Sequence, residues 1–155
     1  MTVLLLFLAA SVAAQDQTTP VANTSVCDVM KSPSQYNGKI VEIRGAARLG
    51  FEFFGLTDVG CGPIWLDFAD ESIRPTLKFR LVKDEPEKRF RAAVQKGNTS
   101  NVTLIGRIDG VDEVKHWTES RPVKGGVVAG FRSNGFGHMG QYKARLVIIR
   151  VRAVE

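Results

Sequence analysis

The chain has 155 residues, 44% of them hydrophobic and 24% charged, a balance suited to one globular domain able to bury a core. Its formal net charge of +5 favours acidic partners such as nucleic acid, anionic glycans or a bacterial surface, and the partner expected is an anionic polymer or an envelope protein. Two Cys and two His are too few, and too far apart in the chain, to build a zinc site, so no metal and no cofactor are expected.

Residues 1–14 form an uncharged apolar run that ends in small residues, with Val12 and Ala14 at the positions a signal peptidase reads. The run is shorter than the roughly 20 residues a membrane span needs, and no later stretch is longer. We read 1–14 as a signal peptide, 15–24 as a flexible polar leader, 25–155 as the folded domain, and the protein as exported, periplasmic or secreted, with no stable membrane span after signal removal. Export favours disulfides, and an even cysteine count predicts a Cys27–Cys61 bridge.

Ser25 is placed to cap a short helix over residues 26–31, with Val26, Val29 and Met30 on one face and Pro33 soon after its end. Tyr36-Asn37-Gly38-Lys39 then turns the chain into a strand in which Val41 and Ile43 alternate with Glu42 and Arg44. Gly45 inside that pattern predicts a bulge or bend. A second strand is expected over 51–58, where Phe51 and Phe53 compete with Phe54 and Leu56 for the inward positions. A third follows over 63–68, with Ile64, Leu66 and Phe68 on one face and Trp65 and Asp67 on the other.

Leu77, Phe79 and Leu81 alternate with Lys78 and Arg80, predicting a further short strand. Asp84-Glu85-Pro86-Glu87 opens a helix, an acid at the cap and Pro in the first turn; Phe90, Ala93 and Val94 form its apolar stripe and Gly97 ends it. Strands are expected again over 102–108, with Gly106 at a bend, and over 142–154. Between them, residues 119–140 hold six of the fifteen glycines and read as a long loop, which in a compact domain is usually functional or disordered.

Three strands, a capped helix and two more strands, with glycine breaks in the first and fourth strands, give a mainly β chain with one or two short helices. The fold expected is an OB-fold-like five-stranded Greek-key barrel with a long loop between the fourth and fifth strands. The segments Tyr36-Asn37-Gly38-Lys39-Ile40-Val41-Glu42-Ile43-Arg44-Gly45, Cys61-Gly62-Pro63-Ile64-Trp65-Leu66 and Gly135-Phe136-Gly137-His138-Met139-Gly140 resemble parts of small exported bacterial OB-fold-like proteins, a group with no assigned activity. That resemblance implies the architecture and leaves the function open.

No nucleophile, base and stabiliser stand together in the sequence, so the expectation is a binding or interaction module and not an enzyme. OB-folds bind ligands on the face of the second and third strands and the adjoining loops, which selects Trp65 as a stacking platform. Arg121, Lys124, Arg132 and His138 from the glycine-rich stretch complete the expected ligand-binding set. A rival reading buries Trp65 beneath that stretch as a second small core. Lys143, Arg145, Arg150 and Arg152 on the last strand are either a basic surface for oligonucleotides or anionic glycans, or simply its wet face. Secreted thermonucleases share the barrel, so a metal-dependent nuclease or other hydrolase built on Asp67, Asp70 and Glu71 with Arg74 is the enzymatic alternative.

Overall fold

A computed structural model describes residues 21–69 and 79–155. The chain runs β1 (Ala22–Ser25), α1 (Val26–Lys31), β2 (Ile40–Gly50), β3 (Phe53–Asp58), β4 (Cys61–Phe68), α2 (Glu85–Gln95), β5 (Ser100–Gly110), β6 (His116–Val123), β7 (Gly126–Ser133) and β8 (Ala144–Val154). Strands β2, β3, β4, β8 and β5 pair in that order, and β5 returns to β2 to close an OB-fold-like barrel. Neighbours are antiparallel except β4 and β8, which run parallel. The signal-peptide segment lies outside the described residues, as does most of the leader. Its last residues form β1, paired in parallel with 41–44 of β2. No apolar periodicity announces this strand, because its ladder bonds hold it and none of its side chains, Ala22, Asn23, Thr24 and Ser25, is buried.

Closure depends on β2 changing partners along its length. Residues 40–47 pair with β5 while 46–50 pair with β3, so the strand bends across the barrel wall. Gly45 permits the bend without a bulge: its register with β5 is unbroken, and a Cβ there would stand 2.7 Å from the Thr57 carbonyl oxygen. The irregularities lie instead in the β5–β8 ladder, where β8 carries the extra residue each time: Arg152 between the Thr103↔Ala153 and Leu104↔Val151 pairs, and Ile149 between Ile105↔Arg150 and Gly106↔Ile148. In the turn before β2 only Gly38 takes a positive φ, +80°, after Asn37 at φ −56°, ψ 124°, which is type II geometry.

Inside lie Val41, Ile43, Leu56, Ile64, Leu66, Leu104, Ile108, Leu146 and Ile148, all essentially inaccessible. The register of β3 is settled by Leu56, which stands opposite Ala47 on one side and Ile64 on the other. Phe54 therefore points inward, and Phe51, 93% exposed, lies in the turn before the strand. α2 plugs one end: the Asp84 carboxylate accepts from the Glu87 N–H at 3.3 Å, and buried Phe90 packs on Phe54 and Phe68 at ring separations of 6.2 and 6.1 Å. α1 is capped by Ser25, whose Oγ accepts from the Asp28 N–H at 3.0 Å, and the Cys27–Cys61 disulfide joins it to the start of β4. A disulfide is compatible with an exported protein. Among the described residues no helix is long and apolar enough to cross a membrane.

Two expected features take a different form. Of the short strand expected over 77–81, residues 77 and 78 lie outside the described part, and 79–81 form no strand. Beyond the last β4–β8 pair, Phe68 with Ile148, the chain makes single bonds instead of a ladder: Leu81 N–H to Ala69 O at 3.0 Å and Val82 N–H to Ile149 O at 2.8 Å. The long loop expected over 119–140 is largely a hairpin. β6 and β7 pair in unbroken register from His116↔Ser133 to Val123↔Gly126 and join no barrel strand among the described residues. Both of its faces are exposed, so it lacks the apolar-in, polar-out alternation by which a barrel strand is recognised.

Candidate binding surface

Period 2 turns Trp65 and Asp67 to the outside of β4, and the parallel register sets Trp65 beside Arg145 of β8, which in turn faces Asp109 of β5. The Trp65 indole N–H donates to Asp67 at 3.2 Å. Arg145 reaches Asp67 at 3.3 Å and pairs with Asp109 through two nitrogens, while Arg107 meets the other Asp109 oxygen at 2.8 Å. Among the described residues of this network, two arginines balance two aspartates.

The segment following β7 covers that face. Phe136 and Tyr142 bridge to one another through N–H···O bonds of 2.9 and 3.1 Å, which ties the intervening residues into a compact loop. The Phe136 ring lies 4.9 Å from the Arg145 guanidinium, and Tyr142 lies 5.1 Å from Trp65 and 6.3 Å from Phe53 by ring centroids. Gly137 rests on the indole itself. Trp65 is consequently half-buried by the chain's own residues, the arrangement of the small second core. His138 stands at the edge of this loop, its Nε2 3.3 Å from Glu52 in the β2–β3 turn.

The other cations of β8 have acids beside them: Arg150 is 3.6 Å from Asp84 and Arg152 is 3.3 Å from Glu42. Arg44 likewise meets Glu155 at 2.5 Å. These pairs are those of a solvated strand face. Near the barrel rim, the Ser34 hydroxyl and then its backbone N–H donate to Asp112 at 2.6 and 3.1 Å, holding that carboxyl below its ordinary value.

Of the expected ligand set, Arg121, Lys124 and Arg132 are brought together on the β6–β7 hairpin, and neither Trp65 nor His138 belongs to it. Asn134 fastens the hairpin's base, its side chain accepting from the Lys115 N–H at 2.7 Å and donating to Glu113 O at 3.1 Å. Cross-strand register divides the ribbon into two faces. One carries Trp117, Glu119, Arg121, Val123, Val128 and Arg132, with Arg132 donating to Glu119 at 2.8 Å. The other carries His116, Thr118, Pro122, Val127 and Phe131 and has no formal charge with His neutral; His116 and Phe131 stack at 5.1 Å. All of β6 is exposed, and Trp117, Val127 and Phe131 stand 48, 70 and 53% open to solvent.

The apolar residues of this ribbon escape a search for buried alternation. Their signal is Val123-Lys124-Gly125-Gly126-Val127, a glycine turn between β-branched residues, within a run from 120 to 133 that contains no carboxylate. Among the described residues no group of three or more His, Cys, Asp or Glu side chains is arranged to hold a metal ion. Asp70, Glu71 and Arg74 lie outside the described residues. Comparison of the chain with protein-family models, with curated proteins and with solved structures found no match.

Proposed function

We propose that the protein is an exported, non-catalytic binding module in which the barrel is a scaffold and the β6–β7 hairpin is the contact element. The observation that carries this reading is a paired ribbon standing off the barrel with large apolar side chains open to solvent. An isolated two-stranded ribbon is marginally stable in water, and exposed aromatic and aliphatic side chains grouped together mark an interaction site. The partner expected is an anionic polymer or an envelope protein, because Arg121 and Lys124 have no acid bonded to them among the described residues while Arg132 is held by Glu119. The OB-fold ligand face is the weaker choice, since the chain's own residues cover Trp65.

The test is excision of 116–133, joining Lys115 to Asn134 through an Asn-Gly turn, which the hydrogen bonds already linking those two residues make geometrically simple. Intact and excised proteins are screened against anionic glycans, oligonucleotides, cell-wall fragments and phospholipid vesicles, beside nuclease and glycosidase assays with and without divalent metal. The expected result is an unchanged barrel melting transition with binding lost. Ligand binding that survives excision would overturn the assignment of the hairpin. Turnover abolished by Asp67→Asn would instead establish the hydrolase alternative.

A further inference from the structure

We propose that the distal half of the hairpin docks into the headgroup region of an anionic lipid bilayer. This deepens the binding-module reading and rests on it. The last three cross-strand pairs are Arg121↔Val128, Pro122↔Val127 and Val123↔Gly126, so three valines and a proline crowd the tip. All four side chains are exposed. Tip charge is of one sign: residues 120–133 contain Arg121, Lys124 and Arg132 and no acid. The nearest carboxylate toward the base, Glu119, is already bonded to Arg132. Trp117 and Phe131 lie further back on opposite faces, where amphipathic and aromatic rings meet the membrane boundary when a ribbon lies obliquely in it.

Other occupants leave part of this surface unsatisfied. A nucleic acid or acidic polysaccharide would neutralise Arg121 and Lys124 but leave the valines in water. A second copy meets a size limit: eight residues at about 3.4 Å rise and two strands about 10 Å wide give about 270 Å² per ribbon. Stable pairs bury about 800 Å² on each side. A bilayer surface takes both kinds of group at once, phosphates receiving the cations and acyl chains the valines. Depth is limited by the backbone, because both outer edges of the ribbon carry polar groups without a strand partner among the described residues, and these cannot be taken into hydrocarbon.

The experiment is flotation of the purified exported protein with vesicles of phosphatidylcholine alone or mixed with phosphatidylglycerol, at low and high salt. Binding is expected to the mixed vesicles and to weaken with salt. Lys124→Gln should reduce it about fivefold, and the Val127→Asp/Val128→Asp double variant by tenfold or more, each with an unchanged barrel melting transition because these side chains are exposed and lie on a ribbon that pairs with no barrel strand among the described residues. Tryptophan emission should shift to the blue on binding in the parent and not in Trp117→Phe. Absence of binding to anionic vesicles, or binding that the double variant retains, overturns the lipid proposal. Hairpin-dependent binding of a glycan or protein in the absence of vesicle binding would also overturn it, while leaving the module reading in place.

Discussion

Gly137 lies against the indole of Trp65 so closely that a Cβ added to it would stand 2.4 Å from Trp65 Cε3, and its φ of +70° is one that side-chain-bearing residues avoid. The contact makes the 134–143 segment part of the barrel's outer layer. Gly137→Ala should therefore cost about 1 to 3 kcal/mol, from overpacking and backbone strain. Trp65→Ala, removing a half-buried ring from Tyr142, should cost about 3 kcal/mol. Denaturant unfolding of both variants checks this, and an unchanged midpoint in Trp65→Ala would mean the ring is not part of a packed layer.

Arg145 is the pivot of the same layer, held between Asp67 and Asp109 with Phe136 against its face. Truncating one member of a buried ionic group leaves the others without compensation, so Arg145→Ala should lose about 3 to 5 kcal/mol. Arg152→Ala, whose partner Glu42 is on the solvated face, should lose about 1 kcal/mol or less. Equal losses in the two variants would contradict the distinction between covered and wet cations.

The Cys27–Cys61 bridge closes a loop of 34 residues and ties α1 to β4. The chain-entropy account gives about 3 to 4 kcal/mol for a loop of that length. The paired Cys27→Ser/Cys61→Ser variant should unfold at correspondingly lower denaturant, and native protein should show no thiol to a titrating reagent before reduction. Two titratable thiols would refute the bridge.

Asp112 supplies a pH-dependent increment. Its carboxyl is held below the ordinary value by the Ser34 hydroxyl and N–H, so folding favours its ionised form. The stabilisation is present in full above the ordinary carboxylate range and is lost as pH falls through the lowered folded value. Ser34→Ala should shift the acid limb of the stability curve toward higher pH by a small amount, the site being exposed. Superimposable acid limbs would show that the Ser34 contact does not persist in solution.

The barrel was legible because its rules are local. Val41 and Ile43 alternate with Glu42 and Arg44, Asp84 and Pro86 mark a helix start, and Gly97 marks its end; each is visible in a few residues and reappears in the fold. The two cysteines sufficed for the bridge once export was inferred. Register of β3 was not legible, since Phe51 and Phe54 are equally apolar and only the pairing of Leu56 with Ala47 and Ile64 chooses between them. β1 was hidden because backbone bonds to β2, and not side-chain pattern, hold it. The hairpin was hidden for the opposite reason: Val127, Val128 and Phe131 are apolar yet face water, and sequence pattern assumes that apolar alternation faces a core.

Under the proposed function the barrel, with its covered Trp65 face, is the scaffold and the hairpin the contact surface. Amide hydrogen exchange of the protein, free and with a saturating bound partner, distinguishes the two surfaces. In the free protein, 116–133 should exchange far faster than β2, β5 and β8, and on binding protection should rise in 116–133 while residues 64–67 and 134–143 stay unchanged. Protection gained at 64–67 and 134–143, with the hairpin unaffected, would contradict the account and return the binding site to the Trp65 face.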